Sequence, residues 1–390
     1  MNQYHRISAN RLQDGDIDYL ALAADGVRGL SPYLPGKPIE ELERETGLPA
    51  DRIVKLASNE TPLPPNPRVV EAIVRELPQL TRYPDGSGHR VKRKLRERLG
   101  LDPAGITLGN GSNDLLAMIA QAFLAPGRNA VYSQYAFAVY ACATRAAGAE
   151  GREIAARGWG NDLDAMARAV DADTRVVFLA NPNNPTGTWF ERGALEDFLA
   201  RVPARTLVVL DEAYIEYADD PALPDGLLQL PRHPNLVVCR SLCKAYGLAG
   251  LRVGYAASSP QIAAILDRVR QPFNVNVLAQ AAACAALDDP AYLEEGRRVN
   301  RAGLAQLREG LGRLGLAWIP SRTNFVTVDC GRPAGPVYSA LLDAGVIVRP
   351  LAGYGMPDHL RISVGTQAEN ARLLAALGRI LTTPGPGIAP

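Results

Sequence analysis

A lone lysine stands where a strand-like stretch of the sequence ends. Lys244 lies in the segment SLCKAYGLAGLR, after the apolar run Leu236 to Cys239, and Arg252 follows it at the end of the segment. A lysine enclosed in a site can lose its proton and form a Schiff base with a carbonyl group. Ser241 and Arg252 would then offer a hydroxyl and a guanidinium to an anion. The simpler alternative is a surface lysine in a glycine-rich loop.

A carboxylate ends a second apolar stretch. In VVLDEAYIEY the apolar residues lead directly into Asp211, and Tyr214 follows within the same segment. A carboxylate at the tip of a buried strand needs a cation to offset its loss of hydration. That cation is either a nearby arginine or lysine, or the protonated ring nitrogen of a cofactor.

A glycine turn opens a helix in ITLGNGSND. The turn contains Gly109 and Gly111, and Ser112 and Asn113 follow at the predicted start of the helix. Free backbone N–H groups and the positive end of the helix dipole favour an anion there. The segment lacks the third glycine of the dinucleotide fingerprint, so a plain strand-to-helix turn capped by Ser112 or Asn113 explains it as well.

An asparagine-rich turn follows another buried strand. In NPNNPTG two prolines fix the turn, and Asn184 can donate a hydrogen bond into a cleft. Taken alone, the segment is also typical of an Asx turn without a ligand.

These segments together predict one ligand, pyridoxal 5'-phosphate. Lys244 would hold its aldehyde, and Asp211 would keep its ring nitrogen protonated, which makes the ring an electron sink. Asn184 and Tyr214 would bond its phenolic oxygen. Its phosphate would be held by the remaining groups, namely Ser241, Arg252 and the backbone amides of Gly111, Ser112 and Asn113.

The elements that position these residues follow an α/β pattern. Apolar runs such as TRVVFLA, TLVVLDEAY and NLVVCRSL alternate with helical segments between about residues 68 and 290. Continuous apolar runs are typical of parallel strands covered on both faces, and ligands gather at the carboxyl ends of such strands. A long helical segment then leads to the short strands TNFVTVDC, GVIVRP and HLRISVG, which predict a smaller α+β domain.

Composition excludes several functions. The chain has 390 residues, 42 basic and 41 acidic, which favours neither nucleic acid nor a membrane surface as a partner. Its five cysteines show no zinc or redox spacing, which favours reduced thiols and a cytoplasmic location. Its four histidines are isolated, so no metal site is expected.

The ordered series of motifs resembles the fold-type I pyridoxal-phosphate aminotransferases. The matching segments run from SPYLPGKP through KLASNETP, NPNNPTG, DEAYIEY and KAYGLAGLR to LRISVGTQAEN, covering nearly the whole chain. Four others, RYPDGSG, GNGSND, PFNVN and GVIVRP, indicate the histidinol-phosphate branch of the family. The resemblance implies a large domain with a mostly parallel sheet flanked by helices, and a smaller α+β domain.

The resemblance also implies a domain organisation and a homodimer with shared active sites. An N-terminal arm, flexible in this interpretation, covers residues 1–30, and residues 31–60 pack on the small domain and the dimer partner. The large cofactor-binding domain covers 61–285, the small domain covers 286–382, and 383–390 form a flexible tail.

Further site residues are implied by position within the family motifs. Tyr83 would reach the cofactor phosphate across the dimer. Tyr135 would stack on the cofactor ring, with Phe137 as the alternative. The substrate-side residues would be Tyr33, from the partner subunit, with Asn59, Arg349 and Arg361.

The implied reaction is reversible amino transfer from histidinol phosphate to 2-oxoglutarate in histidine biosynthesis, giving imidazole acetol phosphate and glutamate. Lys244 would act as general base and acid, and the kinetics would be ping-pong. An aminotransferase for aromatic amino acids is the first alternative, since it would share every cofactor residue. A phosphothreonine-type decarboxylase and a non-enzymatic regulatory module are further alternatives.

One position departs from the family pattern. Cys243 stands before the lysine, where these enzymes usually have a serine whose hydroxyl helps to hold the phosphate. A thiol is a weak donor, so we expect phosphate binding to depend more on Ser241, Arg252 and Tyr83. Alternatively, Cys243 only fills space.

Overall fold

A computed structural model describes residues 17–33, 35–218 and 220–382 of the chain. Its strands are β1 Val54–Lys55, β2 Ile106–Gly109, β3 Asn129–Ser133, β4 Glu150–Ile154, β5 Thr174–Ala180, β6 Leu207–Asp211, β7 Leu236–Ser241, β8 Gly254–Ala257, β9 Trp318–Ile319, β10 Phe325–Asp329, β11 Val346–Ile347, β12 Arg349–Pro350 and β13 His359–Ser363. The expectations for residues 1–16 and 383–390 lie outside the described residues.

The helices alternate with these strands through most of the chain. They are α1 Tyr19–Leu22, α2 Asp25–Arg28, α3 Ile39–Thr46, α4 Pro67–Glu76, α5 His89–Leu99, α6 Ser112–Phe123, α7 Ala138–Ala146, α8 Leu163–Arg168, α9 Arg192–Arg201, α10 Pro260–Val269, α11 Val277–Leu287, α12 Pro290–Arg313, α13 Ala334–Asp343 and α14 Gln367–Thr382.

The central sheet has seven strands in the order β2-β8-β7-β6-β5-β3-β4. Only β8 runs antiparallel to its neighbours, which are β2 and β7. The predicted fold class, a mostly parallel sheet flanked by helices, is therefore confirmed. The edge strand β4 has no apolar run in the sequence, because its side chains are exposed or only partly buried.

Both faces of the central sheet are buried. In β6, Leu207 and Val209 pack with one hydrophobic cluster, which includes Leu115 of α6. Val208 and Leu210 pack on the other face with a cluster that includes Phe198 of α9. Because successive side chains of a strand point to opposite faces, a strand covered on both sides has a continuous apolar sequence.

A second sheet of four antiparallel strands has the order β12-β13-β10-β9. Its core contains Leu307 of α12, Leu341 of α13 and Leu373 of α14. The short strand β1 pairs in parallel with β11, so the N-terminal segment adjoins this part of the chain. The exact domain boundaries remain predictions.

The fold brings four backbone ends to one edge of the central sheet. The parallel strands β5, β6 and β7 end there at Ala180, Asp211 and Ser241, and α6 begins at Ser112. Among the described residues, no helix combines the length and apolar character needed to cross a bilayer. The same residues contain no group of His, Cys, Asp or Glu side chains that could hold a metal ion.

Candidate active site

A cavity of about 290 Å³ lies at this edge of the sheet. Most of the predicted site residues line it, and they come from both sheets and from the N-terminal segment. These residues are Tyr33, Asn59, Ser112, Asn113, Asn184, Asp211, Tyr214, Ser241, Cys243, Lys244, Arg252, Arg349 and Arg361. Gly111, Tyr83 and Tyr135 do not line the cavity of their own chain.

Lys244 is held in the cavity by a backbone oxygen. Its Nζ donates a hydrogen bond to the carbonyl oxygen of Ser58 at 2.9 Å. Enclosure, together with the positive charges of Arg361 and Arg252, lowers the pKa of Lys244 to about 8. A substantial fraction of this amine is therefore neutral near pH 8, which gives it the character of a nucleophile and a base.

Asp211 is a buried carboxylate at the end of β6. Its Oδ2 accepts a hydrogen bond from the Tyr140 hydroxyl at 2.8 Å, and its Oδ1 accepts one from the backbone N–H of Ala213 at 3.1 Å. Burial raises the pKa of Asp211, and the bond from Tyr140 opposes this shift. A cation placed against the carboxylate would stabilise its ionised form.

Tyr214 joins the end of β6 to the second sheet through Asn59. Asn59 Nδ2 donates to the Tyr214 hydroxyl at 2.8 Å, while Ser363 of β13 donates to Asn59 Oδ1 at 3.0 Å. Asn59 has a φ of 56°, a conformation that asparagine tolerates better than most residues. Burial raises the pKa of Tyr214 to about 12, so this hydroxyl keeps its proton at neutral pH.

Two arginines of the second sheet face the same cavity. Arg361 donates from Nη1 to Asn184 Oδ1 and from Nη2 to the carbonyl of Ala57 at 2.8 Å. Among the described residues its buried Nε has no partner. The Arg349 guanidinium lies 5.2 Å from the centre of the Tyr33 ring.

The position of Tyr33 differs from the expectation. We expected the partner subunit to supply this residue, but the structure brings Tyr33 to the cavity of its own chain. Lys37, a few residues later, donates to Glu41 at 2.8 Å and to Glu45 at 2.7 Å, which ties the segment to α3 of the same chain.

The start of α6 and Arg252 lie together at the predicted phosphate site, and we call this pair the anion cradle. Arg252 has a φ of 58°, and its guanidinium packs against Gly111, where an added Cβ would lie only 2.6 Å from Nη2. Gly111 therefore lies against the guanidinium of Arg252 but does not line the cavity. Arg252 Nη1 also donates to Cys243 Sγ at 3.3 Å, and that thiol in turn donates to the carbonyl of Val253 at 3.5 Å.

Tyr135, the aromatic residue that we favoured for stacking on the cofactor ring, does not line the cavity. Tyr135 packs with Leu351 and Met356 instead, and its ring centre lies 5.1 Å from that of Trp159. Asn183 Nδ2 donates to the Tyr135 carbonyl at 2.8 Å and fixes the turn before α7. Phe137, the alternative, lines the cavity, which favours it over Tyr135 as the residue that would stack on the cofactor ring. The choice between the two remains a prediction.

Comparison with known proteins identifies the family. The family model for aminotransferase class I and II matches residues 51–377. The chain belongs to this family.

The sequence of this aminotransferase aligns with those of similar proteins over almost its whole length. It is 64% identical to histidinol-phosphate aminotransferase 2 of Pseudomonas aeruginosa, over 93% of this chain and 99% of the relative. The corresponding protein of Pseudomonas fluorescens Pf-5 is 59% identical over 93% of this chain and 98% of its own. The crystal structure of histidinol-phosphate aminotransferase from Sinorhizobium meliloti, in complex with pyridoxal-5'-phosphate, has a TM-score of 0.85 and 32% identity, and the match covers 95% of this chain and 99% of that one.

Sequence reasoning missed several residues of this aminotransferase site. Tyr140, which bonds Asp211, and the cavity residues Ser58 and Glu60 were not predicted. Tyr140 lies in the segment YAFAVY, which also matches the family pattern, but nothing in its spacing points to a carboxylate on another strand. Ser58 contributes through its backbone carbonyl, which no side-chain pattern reveals.

Tyr83 lies outside the cavity of its own chain. Its side chain is 82% exposed, and its ring stacks on Phe273 with centres 4.7 Å apart. Its predicted role at a partner's site therefore remains a prediction.

Proposed function

We propose that this protein transfers the amino group of histidinol phosphate to 2-oxoglutarate, reversibly, in histidine biosynthesis. The observation that carries the proposal is that one cavity joins Lys244, whose pKa is lowered to about 8, with Arg349 and Arg361. A lysine of this kind is required for amino transfer, and two guanidinium groups match the charge of a substrate phosphate. The relatives named histidinol-phosphate aminotransferase support the same substrate.

The residues of the cavity fit pyridoxal 5'-phosphate. Asp211 is a buried carboxylate whose raised pKa calls for a cation, and the protonated ring nitrogen of the cofactor is one. The cradle of Arg252 and Gly111 at the start of α6 suits the phosphate. When bound, the cofactor supplies an aldehyde for the amino group and a ring that withdraws electrons from the neighbouring carbon.

Lys244 then moves the proton on which the reaction depends. In its neutral form Nζ takes a proton from the carbon that bears the amino group and later returns one, acting first as base and then as acid. The carbonyl of Ser58, 2.9 Å from Nζ, holds this amine in place between the two steps. Tyr214 and Asn184 orient the reacting group by hydrogen bonds from their positions beside Lys244.

Arg349, Arg361 and Tyr33 form the substrate side of the cavity. Two guanidinium groups bind a phosphate dianion better than a single carboxylate, because both of its charges are then paired. Aromatic amino acids remain the second candidate substrates, since the same arginines can also bind a carboxylate.

A comparison of amino donors tests the proposed function. We expect the holoenzyme, supplied with 2-oxoglutarate, to use histidinol phosphate with a much higher kcat/KM than phenylalanine. A clear preference for phenylalanine would overturn the proposed substrate. Release of carbon dioxide that does not depend on a keto acid would indicate a decarboxylase instead.

A homodimer with shared sites is part of the proposal. Val70, Val74, Leu77 and Leu80 leave apolar side chains exposed on and after α4, close in sequence to the exposed Tyr83. Mixing the inactive variants Lys244→Ala and Tyr83→Ala should restore activity, because each mixed dimer would contain one site with both residues intact. A mixture no more active than its components would contradict shared sites. The cytoplasmic location remains a prediction from the cysteine content.

A further inference from the structure

One charged residue of the cavity has no role in the reaction described above. Six charged side chains line the cavity, and five of them serve the cofactor or the phosphate: Lys244, Asp211, Arg252, Arg349 and Arg361. The sixth is Glu60. Histidinol phosphate likewise has one group without a partner, its imidazole ring, which carries an N–H donor.

The backbone around Glu60 is fixed from three sides. Asn59 adopts a left-handed conformation and bonds Tyr214, while Asn324 Nδ2 donates to the carbonyl of Asn59 at 2.9 Å and to that of Glu60 at 3.4 Å. The carbonyl of Ser58 holds Lys244 Nζ. Glu60 is therefore placed in the wall by the same backbone segment that positions the catalytic lysine.

The Glu60 carboxylate retains capacity to accept hydrogen bonds. Its side chain is 44% exposed, and Lys55 Nζ donates to Oε1 at 3.0 Å. A carboxylate offers about four acceptor positions, so one lysine leaves several for a ligand. The negative charge of Glu60 also raises the pKa of Lys244, which places the carboxylate within electrostatic reach of the reacting amine.

We propose that Glu60 binds the imidazole ring of the substrate by accepting a hydrogen bond from a ring N–H. The inference rests on the proposed function and explains how the site selects its amino donor. An imidazole ring that leaves water needs an acceptor for its N–H, and Glu60 supplies one. A phenyl ring has no donor, and in its place the carboxylate would lose water without gaining a bond.

The experiment compares two donors that differ only in their ring. Histidinol phosphate and phenylalaninol phosphate share the amine and the phosphate, so their kcat/KM ratio isolates recognition of the imidazole. The ratio is measured with 2-oxoglutarate for the holoenzyme and for Glu60→Gln, which removes the charge and keeps the shape. Glu309→Gln is the matched control, because it removes an exposed carboxylate from an ion pair with Arg313 outside the cavity.

We expect Glu60→Gln to lower kcat/KM for histidinol phosphate by about tenfold, because the uncharged amide oxygen still accepts the N–H but more weakly than the carboxylate. The loss should appear mainly as a higher KM for histidinol phosphate. The kcat/KM for phenylalaninol phosphate should change by less than about twofold. Glu60→Asp, which keeps the carboxylate, should retain more of the preference than Glu60→Gln. The control should behave as the unsubstituted enzyme.

Two results would overturn the inference. An equal loss with both donors would show that Glu60 only maintains the cavity, and no loss with either would show that it only pairs with Lys55. The proposed function is tested separately by the unsubstituted enzyme. If that enzyme does not use histidinol phosphate, the proposed function fails, and the inference fails with it.

Discussion

The guanidinium of Arg252 lies 3.3 Å from Cys243 Sγ, so the thiol that replaces the usual serine contacts the arginine of the anion cradle. The same thiol donates to the carbonyl of Val253. Cys243 thus joins the two ends of the loop that carries Lys244, which gives it a positioning role in addition to filling space.

Substitution of Cys243 should affect cofactor affinity in a graded manner. We expect Cys243→Ser to keep the Kd for pyridoxal phosphate within about threefold, since a hydroxyl makes the same two contacts. Cys243→Ala should raise Kd by about three- to tenfold, because Arg252 loses a partner. Fluorescence titration of the apoprotein measures both values, with Cys284→Ser on α11 as the control. A large loss in Cys243→Ser would contradict this role.

Lys244 should react with amine reagents at a lower pH than an ordinary lysine. Its pKa of about 8 means that the neutral, reactive form increases as pH rises through 8, whereas a lysine in a peptide does so near 10.4. Labelling of the apoprotein by acetic anhydride across a pH series, read by mass spectrometry, gives the midpoint. Arg361→Met should move the midpoint upward, because a nearby positive charge is removed. A midpoint near 10 in the unsubstituted protein would contradict the lowered pKa.

The lowered pKa of Lys244 also affects the stability of the apoprotein. Between pH 8 and the ordinary value, the unfolded chain binds more protons at this lysine than the folded one. The contribution of Lys244 to the free energy of unfolding therefore becomes more favourable as pH rises through this window.

Tyr140→Phe should weaken the cofactor site through Asp211. The variant removes the 2.8 Å hydrogen bond to Asp211 Oδ2, so the pKa of Asp211 should rise further and less of the carboxylate will be ionised at a given pH. We expect the Kd for pyridoxal phosphate to rise by about tenfold or more, with the larger effect at lower pH. Tyr132→Phe, a buried tyrosine of β3, is the control. Equal affinity of the Tyr140 and Tyr132 variants would argue against this coupling.

Phe137 and Tyr135 should differ in their effects on cofactor binding. Phe137→Ala removes a ring from the cavity wall, and we expect it to raise the Kd for pyridoxal phosphate by about three- to tenfold, the energy of one aromatic contact. Tyr135→Leu alters the packing against Leu351 and Met356 and should lower thermal stability more than cofactor affinity. The opposite pattern, measured by titration and by thermal unfolding, would favour Tyr135 as the stacking residue.

The sequence by itself determined most strands of the central sheet, though not the edge strand β4, and the residues at the strand ends. The strands β5, β6 and β7 are buried on both faces, so their sequences are continuous apolar runs that end at Asp211, Ser241 and the asparagine turn. Parallel strands of one sheet end at the same edge, and this geometry is sufficient to bring Lys244, Asp211 and Asn184 together. The resemblance to a known family added Arg349 and Arg361, which strand-end reasoning did not reach.

Only the tertiary structure decided which neighbouring side chains enter the cavity. Tyr135 and Phe137 lie in the same turn, and the hydrogen bond from Asn183 to the Tyr135 carbonyl fixes that turn. The contacts of Tyr140 with Asp211 and of Glu60 with the cavity join segments that are distant along the chain. No local pattern encodes such contacts, because they depend on how helices, loops and the second sheet pack around the strand ends.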